Sequence, residues 1–251
     1  MSIYDYVIIG AGSAGSALAG RLATNNNSKI LLLEAGPKDY NPYIKLPIGY
    51  GKLFYDQSVN WKFYTEPEEN LHGKKMYWPR GKVLGGSSSI NAMVFARGSR
   101  NDFDEWGEHA SGWSWQDIEP FFRKMETWKG KSDQSRGQSG PVRVTDVSTQ
   151  AHPLTDCFLE ATEQIGISKN PDYNTGNIEG SFVYQTNTHK GLRSSAANAY
   201  LSPIKKQKNL VIITRALVKK ILFEGARAVG VEYSHKGLSL IHISEPTRLS
   251  V

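Results

Sequence analysis

The chain opens on an apolar run, YDYVIIG at residues 4–10, whose β-branched and aromatic side chains fit a buried strand. Residues 13–24, SAGSALAGRLAT, are rich in small helix formers. Leu18 and Leu22 stand four apart, the spacing of a helix resting on a sheet. A second apolar run, SKILLLE at 28–34, ends in an acid. Strand, helix and strand within about 30 residues predict a β–α–β unit with parallel strands.

The pattern then weakens. Pro37, Pro42, Pro47, Pro67 and Pro79 punctuate residues 36–80, where aromatics are dense, so this stretch reads as extended chain wrapping the domain. Residues 87–97, SSSINAMVFAR, predict a helix or helical turn after a glycine pair. Residues 114–127 predict a helix with Ser114 as N-cap and Asp117 at its third position, although Pro120 is out of place inside it. A polar, glycine-rich loop at 129–140 leads to a strand at 141–146. A helix over 152–165 places Leu154, Phe158, Ala161 and Ile165 on one face, with Gly166 as its stop. Residues 180–189 alternate as a strand. Three more strands are expected at 209–214, 216–224 and 226–233, the last two joined by a tight turn near Gly225.

Composition narrows the class. With 251 residues, 39% hydrophobic and 22% charged, the chain is an ordinary globular protein of one large or two small domains. No apolar run approaches the roughly 18 residues of a membrane span, so no transmembrane segment is expected. The single cysteine, Cys157, excludes an intramolecular disulfide and a cysteine zinc cage. There is no basic-then-apolar leader, and the expected compartment is cytoplasmic, with peripheral membrane association left open. The net charge of +6 is carried mostly by the second half, in stretches such as KKQK at 205–208 that read as solvated faces. No basic segment is interleaved with stacking aromatics, so no nucleic-acid partner is expected. His72, His109, His152, His189, His235 and His242 form no close pair and no H-E-x-x-H spacing, so no metal site is expected.

The chemistry lies in two turns. Gly10-Ala11-Gly12-Ser13-Ala14-Gly15 is G-x-G-x-x-G, placed after a predicted strand and opening a predicted helix, with Glu34 closing the next strand. Gly10 permits the tight turn, Gly12 lets the backbone approach a pyrophosphate, and Gly15 lets helix and strand pack closely. The helix N-terminus offers N–H groups to phosphates, and Glu34 can take both ribose hydroxyls of an adenosine. This loop does not separate NAD from FAD. No arginine sits next to Glu34, which disfavours a 2′-phosphate. The second turn is Gly85-Gly86 followed by Ser87, Ser88 and Ser89, which can set N–H and hydroxyl donors around another polar group. A plain Gly–Ser turn before a buried helix is the alternative.

The segment from Gly81 to Phe95, GKVLGGSSSINAMVF, resembles the first signature of the glucose–methanol–choline (GMC) oxidoreductases, near their choline and aliphatic-alcohol dehydrogenase branch. The opening YDYVIIGAGSAGSALAGRL, LLLEAG, NWKFYTEPE at 60–68, GLRSSAANAYLSP at 191–203 and residues 209–233 fit the same family, so the likeness covers about residues 4–233. The resemblance implies FAD as cofactor. Gly10, Gly12, Ser13, Ala14, Gly15 and Glu34 would hold its ADP part. Val83 would lie on the flavin side, and Gly86, Ser87, Asn91, Ala92, Met93 and Val94 would line the pyrophosphate and isoalloxazine. Val218 would meet the adenine through its backbone. From sequence alone, Val83 and Val218 are also ordinary core valines. Where some members bond FAD through a histidine, this chain has Ile90, so non-covalent FAD is expected.

The implied fold is α/β, with a Rossmann-type FAD-binding domain made of residues 1–140 and 204–236. Residues 141–203 would start a partly antiparallel substrate-binding domain. The implied activity of a complete member is oxidation of a primary alcohol to an aldehyde, the partners being a small alcohol and an electron acceptor that these residues do not specify. Complete members are roughly twice this length, and their second signature and C-terminal catalytic histidine have no match here, so no catalytic residue is assigned. A non-catalytic FAD- or ADP-binding fragment is the alternative reading. Residues 237–251, LSLIHISEPTRLSV with the glycine before it, have no single apolar period, resemble translated adapter sequence and are expected to be a non-native tail.

Overall fold

The expected β–α–β unit forms from strand β1 (Tyr6–Ile9), helix α1 (Ser13–Asn25) and strand β2 (Ile30–Glu34) in the computed structural model, which describes residues 3–25, 27–131, 134–235 and 238–244. Strand β3 (Leu210–Thr214) pairs with β2 on its other side. The sheet is parallel, in the order β3–β2–β1, with Leu31 opposite both Val7 and Val211. Every position of β2 is buried, because both faces of a central parallel strand are covered; this is why ILLL does not alternate. Each fully buried leucine there contributes about 1.5–3 kcal/mol.

Helix α1 covers one face, but with a different stripe from the one expected. Ser16, Ala19, Gly20 and Ala23 are buried, Leu22 is partly buried against the same core, and Leu18 is 51% exposed. Small residues let the helix lie close. A Cβ on Gly20 would come within 2.9 Å of the Tyr200 carbonyl oxygen. The opposite face of the sheet packs Leu31 and Leu33 against Tyr4, Ala216, Val231 and Tyr233. Those last three belong to an antiparallel hairpin, β4 (Ala216–Glu224) and β5 (Arg227–His235), turned at Gly225.

The sequence reading placed no element beyond residue 236. The structure has a strand there, β6 (Leu238–Ser244), paired antiparallel to β5 and parallel to the short strand Ile3–Tyr4. Residue 237 and residues 245–251 of the expected tail lie outside the described residues.

Residues 36–80 hold only short pieces: helices Pro42–Lys45 and Tyr50–Leu53, and a small hairpin of Phe63–Tyr64 with Tyr77–Trp78. Ile44, Leu53 and Val59 anchor this wrap to Val83 and Ile90 in one apolar cluster. Buried Asn60 ties it further, its side chain donating to the Phe54 carbonyl (2.8 Å) and accepting from the N–H groups of Lys62 (2.9 Å) and Arg80 (3.0 Å).

The chain packs as two units, residues 1–92 with 195–251, and residues 93–194. The expected boundaries were 140/141 and 203/204. Residues 93–140 fall in the second unit because they build its core, where Phe95 and Trp128 meet Val144. They also supply its buried ionic cluster. Glu126, fully buried, accepts from Arg97 (2.6 Å) and Arg136 (2.8 Å), and Arg136 also pairs with Asp172 (2.7 Å). Burial pulls the Arg97 guanidinium down. Burial acts the same way on Arg136, but Glu126 and Asp172 outweigh it and hold Arg136 above its ordinary value.

Helix Trp115–Met125 forms with Pro120 inside it, and Ser114 donates to the Asp117 carboxylate (2.6 Å) rather than capping a backbone N–H. Helix Arg100–His109 has no counterpart in the sequence reading. Helix Pro153–Gln164 is present, but its apolar face is exposed: Leu154 69%, Phe158 65% and Ile165 75%. The strand expected over 180–189 shrinks to Thr188–His189, paired with Leu192–Arg193.

Candidate cofactor site

The C-terminal end of the parallel sheet carries the first glycine turn, where open α/β folds bind their ligands. Gly10 ends β1 with its N–H on the Leu33 carbonyl (2.8 Å) and a φ of +90°, a conformation that favours glycine. A Cβ on Gly15 would be driven into the Gly10 carbonyl oxygen and would also meet Ile8, so only glycine lets α1 start this close to β1. Beside Gly12 there is open space, as a backbone approached by a ligand requires. Ser13 and Ala14 are exposed at the helix start. The first N–H groups of a helix have no intrahelical acceptor and attract anions.

Glu34, 5% exposed, closes β2 and turns back to this loop. One carboxylate oxygen accepts from the Ala11 N–H (2.9 Å), the other from the Gly36 N–H (2.8 Å). Burial pushes its carboxyl above the ordinary carboxylate value, against the opposing pull of those N–H groups and of Lys82. The carboxylate therefore shapes the turn before any ligand arrives, a role that sequence spacing did not show.

The second turn docks directly on the first. The Gly85 N–H donates to the Ala11 carbonyl (2.7 Å), which also accepts from the Ser16 hydroxyl (2.9 Å). Gly86 has a φ of +56°, and a Cβ on it would lie 2.6 Å from the Gly12 Cα. The turn itself is a short 3-10 segment, Gly86–Ser89, held by the Gly86 N–H on the Val83 carbonyl (2.7 Å). Exposed Ser87 accepts from the Gly81 N–H (3.1 Å), Ser88 donates to the Gly85 carbonyl (2.6 Å), and Ser89 donates to the Leu84 carbonyl (2.7 Å). The serines that read as ligand donors thus also hold the turn together.

Gly10, Gly12, Glu34, Gly86 and Val218 line one cleft of about 260 Å³. Trp61 and Gly81 line it too. Sequence reasoning did not single them out as site residues, although both stand in quoted motifs. Val218 sits where β4 is irregular, with a register shift between Val218 and Lys220. Val83 is fully buried and its side chain belongs to the apolar cluster, so what it offers the loop is its carbonyl. Asn91 bonds its N–H to the Ser87 carbonyl (2.9 Å), and Ala92 is exposed. Met93 and Val94 fall in the second unit. Met93 is buried in a left-handed conformation, with a φ of +63° and its carbonyl on the Asn187 N–H (2.7 Å), and Val94 is 40% exposed. Among the described residues no cluster of histidine, cysteine or carboxylate side chains could hold a metal ion, and no helix is long and apolar enough to cross a membrane.

Comparison with known proteins agrees with this geometry. The profile of the GMC oxidoreductase family matches residues 4–246. The chain is 42% identical over 240 residues to an alcohol dehydrogenase [acceptor] of Pseudomonas putida, covering 94% of this chain and 43% of that protein. It is 43% identical over 244 residues to the mitochondrial choline dehydrogenase of Homo sapiens, covering 94% and 41%. Among solved structures, pyridoxine 4-oxidase from Mesorbium loti superposes with a TM-score of 0.91 at 32% identity, over 96% of this chain and 48% of that one. The chain spans less than half the length of these relatives.

Proposed function

The chain belongs to the GMC oxidoreductase family, and from that premise we propose that it is the nucleotide-holding part of an FAD-dependent enzyme that oxidises a primary alcohol, choline-like or aliphatic, to the aldehyde. The observation that carries this reading is the junction at Ala11. Its N–H is held by Glu34 and its carbonyl by Gly85, so two glycine turns distant in sequence form one continuous trough. One cleft lined by both turns suits the phosphate-bearing part of a dinucleotide.

The residues fit FAD. The backbone of Gly10, Gly12, Ser13, Ala14 and Gly15 would take the pyrophosphate, Glu34 the ribose hydroxyls and Val218 the adenine. Val83, Gly86, Ser87, Asn91 and Ala92 would serve the pyrophosphate and flavin side. When bound, FAD would supply a two-electron, hydride-accepting group for alcohol oxidation. This chain binds and orients; a base elsewhere in the complete enzyme takes the hydroxyl proton. Binding is non-covalent in this reading, because Ile90 carries no nucleophile and its side chain is buried in the apolar cluster. The lone thiol, Cys157, is exposed and unpaired, which suits a reducing cytoplasm.

A second reading, an FAD- or ADP-binding fragment without catalysis, is favoured by the chain's spanning less than half the length of its relatives. One experiment separates them. Purified protein is examined for a flavin spectrum and then mixed anaerobically with choline or medium-chain alcohols. These residues alone should hold flavin that no alcohol bleaches under either reading; bleaching with the protein of the full reading frame supports the enzyme, and bound flavin that stays unbleached there supports the fragment. Tight NADH binding in a flavin-free preparation contradicts both. Acid precipitation should leave the flavin in solution.

A further inference from the structure

A second cleft, of about 650 Å³, shares Ala35 with the nucleotide trough and is lined differently. We propose that it is a binding site for a phosphate group, carried either by free phosphate or by a small phosphate monoester. Lys38, Lys82 and Arg215, from three distant segments, all line it, and the Asn41 and Gln57 amides add neutral donors. Among the described residues no carboxylate lines it and none of the three cations is ion-paired.

The acids of the same segments are committed elsewhere. Asp56 accepts from the Ser58 N–H (2.9 Å), the Ser58 hydroxyl (2.6 Å) and Asn41 (3.3 Å). Both oxygens of Glu34 are held by backbone N–H groups, and partly buried Asp39 has Lys45 as its electrostatic partner. Two of the cations rest near aromatic rings, and Lys82 also acts electrostatically on Glu34. The Lys82 ammonium lies 4.5 Å from the centre of the Trp61 ring, and that of Lys38 lies 5.7 Å from Tyr40. Arg215 is fixed through its backbone. It sits at a φ of +58°, strained for a side chain of this size, with its N–H on the Gly36 carbonyl (2.7 Å).

Lys38, Lys82 and Arg215 give the lining of this cavity three positive charges, and an oxyanion bound there would offset their mutual repulsion. A guanidinium and two ammonium groups match the several oxygens of a phosphate. A choline-like cation would be repelled, so this is not a second site for choline.

The test is a titration of inorganic phosphate, and separately of glycerol phosphate, followed by calorimetry, with and without saturating FAD. One saturable site is expected, retained when FAD is bound. Lys38→Gln and Arg215→Gln should each weaken it about tenfold or more. Lys38 is exposed, so its replacement should leave the melting temperature unchanged and report binding alone. Tighter glycerol phosphate assigns the site to a phosphorylated metabolite, and equal affinity assigns it to free phosphate. Binding that is absent, insensitive to both substitutions or abolished by FAD overturns the proposal.

Discussion

Gly12 and Gly86 face each other so closely that a single added carbon on Gly86 would lie 2.6 Å from the Gly12 Cα. The turn that opens the first helix and the turn of the second motif are therefore one surface, joined by the Gly85 N–H on the Ala11 carbonyl. Neither turn can be widened without moving the other.

Gly86→Ala should damage this surface twice, by steric overlap and by an unfavourable φ. It should lower stability by about 1–3 kcal/mol and abolish FAD retention. A thermal melt and the flavin content of the purified variant check both.

Glu34 gives a pH dependence of known sign. Its folded-state pKa is raised chiefly by burial, so folding disfavours its ionisation relative to the unfolded chain. That contribution to stability is fully present below the unfolded pKa and is lost as pH rises through the folded one. FAD binding runs the other way, since the carboxylate is the form that best accepts ribose hydroxyls. FAD affinity should fall as pH drops through the raised pKa. Glu34→Gln should flatten this profile and weaken FAD about tenfold or more, because one of the N–H groups of Ala11 and Gly36 then loses its acceptor. Equilibrium FAD titrations across the acidic range measure it.

Glu126→Gln should destabilise the second unit by about 3–5 kcal/mol, leaving two buried guanidinium groups without their shared anion. The shift in the urea midpoint reads this directly.

Phe158→Ser should change stability by less than about 0.5 kcal/mol, because the side chain is 65% exposed. A core position would cost several times more. Urea unfolding again decides.

The β–α–β unit, the G-x-G-x-x-G turn and the hairpin at Gly225 were legible because each is a local pattern with a local cause. What was missed depended on partners. Leu154, Phe158 and Ile165 are periodic, but a period says which side is apolar and not whether anything covers it. Helix Arg100–His109 has no buried residue and only Phe103 and Trp106 as large apolar positions, too few to set a period; a Ser99–Asp102 capping box marks its start instead. In β6, Leu238 and Leu240 keep one parity while Ile241 and Ile243 keep the other, so no single alternation appears, and its partner β5 supplies the order. The two bonds of Glu34 to Ala11 and Gly36 were hidden because acid-to-glycine spacing fits a ribose acceptor equally well.

Hydrogen–deuterium exchange with and without FAD tests most directly whether both turns grip one molecule. The account predicts that FAD slows amide exchange in Gly10–Gly15 and in Gly85–Ser89 together, at the same FAD concentration. Protection confined to the first turn, with the second exchanging as before, would contradict it.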